Sequence, residues 1–564
     1  DIASAIDNVD GRIVSRGALD LRAGALDLRV GALDLRVGAL DNTRGTVEAA
    51  QALSIAAQSV LNTAGTLYGG ASVAVGVTGD LISTGTIASR GAVVVTAGGA
   101  YSNAQGLLLG DRIDVQAASL ANAGGTVEQL GAGGGRIATT QALDNRGGRI
   151  AGIGTGALAL SAGAELLNAG GFIGTNGALD LSAGVIHNAG GAIEAAAALS
   201  LASRGALVND AGSVRAAGSA NVVADGSLSN AGGLIAADAA LVITTRGMLG
   251  NDAGRLLGAA GASLDADGAV SNAGGFIASN GALAIASRGA ILNDAGSVRT
   301  AGGATLSAAG VLSNVGGVVA AGDALLLTAP SLDNRGGRVA SNADIAGSFA
   351  GTVDNRSGGS IGAGRDATLH ATAIANDAGA ITGNRDVGIR ATALAGAGRV
   401  AAGADLTIAL GGDFTHSAGG ELTAAGTLTL TAPGSLANAG RIDGGIVRTR
   451  SARLANTAAI LGGTVEATAD TITNSGTAAV IGGVTDLGLY ARGALANTDG
   501  ALIYSGGRLM IAADAAGARA ASVFNEGSTI EAAGNVFIAA QALVNQRRDV
   551  SIATDTVSSA SVLY

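Results

Sequence analysis

Between Asn188 and Val319 the chain writes one phrase seven times: HNAGGAIE (187–194), VNDAGSVR (208–215), SNAGGLIA (229–236), GNDAGRLL (250–257), SNAGGFIA (271–278), LNDAGSVR (292–299) and SNVGGVVA (313–320). The asparagines fall at Asn188, Asn209, Asn230, Asn251, Asn272, Asn293 and Asn314, a constant step of 21 residues. Self-similarity at a fixed period of this size marks a solenoid, in which each repeat is one unit stacked on the last.

Within a repeat the apolar residues fall two apart. From Gly268 to Ile285 they run Val270, Asn272, a Gly274–Gly275 corner, Ile277, an Asn280–Gly281 corner, then Leu283 and Ile285. Spacing of two belongs to a strand with one face inward, and Asn- and Gly-rich corners supply the positive φ that other residues resist. Three short strands and three corners make one coil of a parallel β-helix, each coil resting on the last at about 4.8 Å. The fold expected is therefore all-β: a parallel β-helix of about 25 coils, or ~120 Å of rod at that spacing.

Each asparagine shares the inward parity of the apolar residue two before it, where an unpaired amide is costly. Two readings fit. The amides stack along the axis, each bonding donor to acceptor with its counterpart one coil away, or each merely tolerates a left-handed turn. Glycine would serve the turn equally well, which favours the ladder. The seven asparagines above are the candidate site residues, and their role is structural.

Working outward, glycine supplies 95 of 564 residues, proline 2, aromatics 2% and charged residues 13%. That is too apolar for disorder, and the glycines lack collagen's period of three. No uninterrupted apolar run of membrane-spanning length occurs. There is no cysteine, hence no disulfide and no thiolate metal site, and every basic residue is arginine. A formal charge of −10 argues against nucleic acid as a partner. The chain begins with Asp1 and shows no signal peptide, so it is expected to be an internal piece of something longer.

Toward the start, residues 1–41 hold one repeat-like phrase, IDNVDGRI, and then three heptads: ALDLRAG (18–24), ALDLRVG (25–31) and ALDLRVG (32–38). Their leucines lie two and five apart and every heptad holds a glycine, so they are strand-like and not a coiled coil. They are read as a duplication that bulges out or pads one face of the first coil. The shaft is expected over 42–545, followed by an incomplete coil or tail at 546–564. Its register runs through Asn42, Asn62, Ser83, Asn103, Asn122, Asn145, Asn168, the seven repeats, then Asn334, Asn355, Asn376, Gly396, His416, Asn438, Asn456, Asn474, Asn497, Asn525 and Asn545. Loops are expected near Asn145, Asn497 and Asn525, where the steps lengthen. A longer period is also present: Arg204, Arg246 and Arg288, like Asp210, Asp252 and Asp294, recur every 42 residues. Evenly spaced charge of this kind suits the reading of a polymeric ligand, but the reading favoured here is a solvated row of arginines in weak ion pairs with those aspartates.

Candidates for chemistry are sparse. His187, His370 and His416 sit in unrelated coils without metal-ligand spacing, and His416, which replaces its coil's asparagine, reads as a corner substitution. Asp265-Ala-Asp267-Gly268 lacks the glutamate of a calcium loop. Gly152-Ile-Gly154-Thr-Gly156 has no crossover helix after it, as a dinucleotide fingerprint requires. No catalytic, metal or cofactor site is assigned, and an enzyme is not expected.

LDNRGGRI, LLNAGGFI and SNAGGLIA, with their relatives from Asn8 to Asn545, resemble the haemagglutinin repeats of the filamentous haemagglutinin family. The resemblance implies a right-handed parallel β-helical fibre, export through an outer-membrane partner transporter of Gram-negative bacteria, and attachment at the cell surface to a host or bacterial receptor or glycan. The alternative it implies is the stalk of a contact-dependent inhibition exoprotein that carries a C-terminal toxin. The only prolines are Pro330 and Pro433, so the Asn-Pro-Asn motifs of the family's secretion domain are missing, as are Arg-Gly-Asp and a Val-Glu-Asn-Asn junction. What the residues resemble is the shaft.

Overall fold

The computed structural model describes residues 5–10, 12–15, 19–22, 25–27 and 32–547. Every regular element among them is a β-strand. The chain divides into two compact units, Asp1–Pro330 and Ser331–Tyr564, and each is a parallel β-solenoid.

In the first unit one coil shows how the sequence makes the fold. Strand Leu234–Ala237 is followed by Ala240–Thr245 and Leu249–Gly250. Each pairs in parallel with its counterpart 21 residues on, as Leu234 with Arg255, Leu241 with Ala262 and Leu249 with Val270. Inward residues alternate with outward ones, so Ile235, Leu241, Ile243 and Leu249 are fully buried while Val242 and Thr244 face out. The expected inward positions Val270, Ile277, Leu283 and Ile285 are all buried. The core is thus a stack of aliphatic layers, each apolar side chain resting on the one from the coil before.

The corner after each asparagine is set by two residues. The left-handed one stands two positions on: Gly190, Gly232, Gly274 and Gly316, alternating with Ala211, Ala253 and Ala295 at φ of 51–52°. The glycine three positions on is fixed by space. A Cβ on Gly233 would meet the Asn209 carbonyl oxygen at 2.2 Å, and one on Gly254 the Asn230 carbonyl oxygen at 2.1 Å. This is the physical content of the recurring Asn-x-x-Gly.

Of the heptads, Leu19–Arg22 and Ala25–Asp27 pair antiparallel, and Leu19–Arg22 also lies parallel to the start of Ala32–Asp41, Leu19 against Leu33. The remainder of that duplication, and most of the tail expected at 546–564, lies outside the described residues.

In the second unit the corners are partly lost. Asn438, Asn456 and Asn474 are only 18 residues apart, and the chain runs there in long strands, Glu421–Asn438, Arg441–Asn456 and Ala459–Ala469. Asn497 and Asn525 are 28 apart. The extra length sits between Arg508–Ala512 and Ala520–Glu526, where Asp514 accepts the N–H groups of Ala516 and Ala518.

Candidate functional site

The seven candidate asparagines lie in one column inside the first unit, all at most 1% exposed. Asn188 Nδ2 donates to Asn209 Oδ1 at 2.7 Å, and the same bond joins Asn209 to Asn230, Asn230 to Asn251, Asn251 to Asn272, Asn272 to Asn293 and Asn293 to Asn314 at 2.7–2.8 Å. The other amide hydrogen serves the corner: Asn209 Nδ2 also meets the carbonyls of Gly212 at 3.3 Å and Leu234 at 3.1 Å. Every donor points toward the C-terminus, so each amide is a donor on one side and an acceptor on the other. None of these asparagines has positive φ, so the turn-tolerance reading does not describe them.

The column extends beyond the candidates: Asn42 to Asn62 and Asn103 through Asn122, Asn145 and Asn168 to Asn188. The second unit has a column of its own, which joins Asn334, Asn355 and Asn376, and later Asn438 through Asn456, Asn474, Asn497 and Asn525 to Asn545.

Three positions depart from asparagine, and they are handled differently. Ser83 accepts from Asn62 through Oγ at 3.0 Å. Its hydroxyl is shorter than an amide, and the next acceptor, Asn103 Oδ1, takes a bond from the hydroxyl of Tyr101 at 3.3 Å. Tyr101 is fully buried, and that burial pushes its hydroxyl well above the usual tyrosine range. At Gly396 and His416 there is no such replacement. His416 is 2% exposed, stacks on Phe414 at 5.8 Å, and places Nδ1 2.8 Å from Asn438 Oδ1. Its Nε2 is buried without a hydrogen-bond partner. The expected corner substitution is thus an interior ring with one bonded nitrogen and one bare one.

The rows with the 42-residue period differ from the expectation. Asp210, Asp252 and Asp294 do not pair with the arginines. Each reaches one coil on, accepting from the hydroxyl of Ser229, Ser271 or Ser313 at 2.5 Å and from the backbone N–H of Ala231, Ala273 or Val315 at 3.0 Å. The arginines stand instead in a column that alternates with a second set of aspartates, Arg204, Asp225, Arg246, Asp267, Arg288, one per coil. Arg246 lies 3.4 Å from Asp225, and Arg288 is paired with Asp267. Arg204 donates to the Gly163 carbonyl at 2.6 Å. The interleaved Asp225 and Asp267 were legible as a further 42-residue spacing half a period out of step, and only the structure shows that they share the arginines' column. The Asp-Asn-Arg corners form another clamp: Arg146 grips Asp144 through Nε and Nη2 at 2.9 and 2.6 Å, and its guanidinium holds that carboxyl below the ordinary range.

The outer face of the first unit carries shallow clefts where outward residues are small. One of about 440 Å³ is lined by Gly174 together with Arg149, Phe172, Glu194, Arg215 and Asp238. A second of about 430 Å³ shares Arg215 and Asp238 and adds Arg255, Leu257 and Asn280. Arg149 lies over the Phe172 ring at 4.6 Å, and Arg255 over Phe276 at 5.7 Å. Nothing in the linear order announces them, because their residues belong to different coils. Among the described residues no three His, Cys, Asp or Glu side chains are grouped to hold a metal. His187 belongs to the first unit, and exposed His370 and buried His416 to different coils of the second. Asp267 of the faint calcium-like phrase is spent on Arg288. Gly152 ends a strand and leads through a corner into strand Leu158–Ala162, not into a helix.

These features define a class: a repeat solenoid with an interior held by stacked amides and a variable outer surface. The family model described as "Haemagglutinin repeat" matches residues 2–30, 23–87, 72–147, 153–211, 215–295, 277–348 and 335–418. That is more than half of the chain, and the protein belongs to the filamentous haemagglutinin repeat family. Comparisons with curated proteins and with solved structures returned no match.

Proposed function

We propose that the chain is the fibrous shaft of a secreted or surface-exposed bacterial adhesin, attaching to host cells or other bacteria through a long repetitive surface. The observation that carries this reading is the division of labour within each coil. Inner positions repeat the same asparagine, aliphatic residues and glycine, whereas the outer positions around the clefts change from coil to coil. A constant interior with a variable exterior suits a scaffold that presents many weak contacts, whose joint strength far exceeds that of any one. An outer-membrane partner transporter for export and a surface receptor or glycan belong to the same reading.

The experiment is to measure adhesion of the purified chain to epithelial and bacterial cells beside variants lacking one or two 42-residue pairs from the region 188–314. Binding that falls more than in proportion to the coils removed supports the multivalent shaft. Binding absent from every surface, or unchanged by removal of those coils, contradicts it.

A further inference from the structure

The asparagine column gives a polarity against which each substitution can be judged. In an ordinary coil the glycine three positions after the asparagine lies against that asparagine's Oδ1 and the preceding asparagine's Nδ2. For Gly191 a Cβ would stand 2.7 Å from Asn188 Oδ1 and 3.0 Å from Asn168 Nδ2. Around His416 the same probe finds Nε2 at 2.6 Å from Gly420, in the position of the residue's own acceptor. From Gly440, one coil on, it finds Nδ1 at 2.8 Å, in the position of the forward donor.

Asn438 Nδ2 is already committed forward to Asn456 Oδ1 at 2.7 Å, so Asn438 Oδ1 can only accept. His416 must therefore carry its proton on Nδ1 and leave Nε2 as a lone pair. That lone pair is what an asparagine amide at position 396 would bond, and position 396 is glycine at φ 107°. The first unit meets a similar defect at Ser83 by supplying the Tyr101 hydroxyl. The second unit supplies nothing to Nε2.

We infer that the coil around His416 is an acid-sensitive joint built into the second unit, which opens locally when the imidazole takes a second proton while the flanking coils stay wound. A proton on Nε2 would place an uncompensated cation in an aliphatic interior. Of the charged side chains on the strands packed around it, Arg390, Arg399, Glu421, Arg441, Arg448, Arg450 and Arg453 are exposed on the outer face, as is Asp413 beside it, and half-buried Asp443 points outward in a pair with Arg441. None is turned inward to balance the charge. Consistently, burial holds the imidazole below its ordinary value of 6.5, against the smaller opposing effect of the Asn438 bond. The closed coil thus keeps its full stability above about pH 6.5 and loses it as pH falls below that value. One proton taken up on opening changes the opening equilibrium by at most about tenfold per pH unit.

The test is hydrogen exchange read by mass spectrometry between pH 7.5 and 5, corrected for intrinsic rates, on the full chain and on His416→Asn. The expected result is that peptides covering 396–438 open roughly tenfold more per pH unit below about 6.5, that 42–314 does not change, and that His416→Asn removes the response. An equal response in His416→Asn, or no response in the native chain, overturns the inference. Should His416→Asn fail to fold, nitrogen-15 histidine spectra of the native chain decide. An imidazole protonated on Nδ1 alone at pH 7 that resists titration until the coil opens supports the inference, and one titrating freely at its ordinary value in the closed coil overturns it.

Discussion

At the scale of the residue, the burden falls on an amide and a missing side chain. Asn251→Ala would leave Asn230 Nδ2 without its acceptor and Asn272 Oδ1 without its donor. At about 1–3 kcal/mol for each buried orphan, the loss should be roughly 2–5 kcal/mol in denaturant unfolding. The two neighbouring glycines separate space from conformation. Gly232→Ala should cost about 1–2 kcal/mol or less, because nothing lies near its absent Cβ and alanine already takes the equivalent place at Ala211 and Ala253. Gly233→Ala should cost several times more, since its Cβ would strike a backbone oxygen. Equal losses in the two variants would contradict this account of Asn-x-x-Gly. The sequence made the asparagine period plain and favoured the amide ladder over the turn, but not the direction in which its bonds run, because donor and acceptor are set only once the register is formed. His416 was visible as an exception, whereas its bare nitrogen depends on what Gly396 omits, which spacing alone does not reveal.

At the scale of the element, one coil has too little core to stand alone, and its strands are completed only by the coils on either side. Removing residues 210–251 deletes two whole coils and leaves Asn209 followed by Asp252, so the phrase continues in register. The shortened chain should keep its β-circular dichroism and cooperative unfolding, whereas removing 210–220 should abolish cooperativity in the first unit by turning inward residues outward. The pairing of coils also has a mechanism: Asp252 ties its corner to Ser271 and Ala273 in the next. Asp252→Ala should cost about 1–3 kcal/mol by removing bonds to a charged acceptor, with the loss seen in unfolding midpoints. Strand alternation made the three strands of a coil readable in advance. The long strands from Glu421 to Ala469 were less so, since short 18-residue steps merge strand and corner without any change in the apolar period.

At the scale of the molecule, the repeat and the family explain the composition. Small residues at the corners let coils approach, aliphatic residues fill the interior, and the chain has no cysteine with which to staple the stack. The outer face is where sequence reading stopped: the clefts gather Arg149, Phe172, Glu194 and Arg215 from successive coils, and a linear pattern does not announce such neighbours. If those clefts take part in attachment, Arg215→Ala should weaken adhesion without changing the unfolding midpoint, because the side chain bonds only Ser213 Oγ at 3.2 Å on an exposed face.

Each residue rests on its counterpart in the coil before, about 21 residues back. The chain has no cysteine, so pairs of introduced cysteines can carry spin labels cleanly. Asp180, Ser263, Ala284 and Thr305 stand in one outward column, linked through Ser200, Asn221 and Val242. Pulsed electron resonance between a label at 180 and labels at 263, 284 and 305 should give separations of roughly 19, 24 and 29 Å, rising by ~4.8 Å for each coil. Separations that fail to rise in equal steps would contradict the stacking, and with it the shaft.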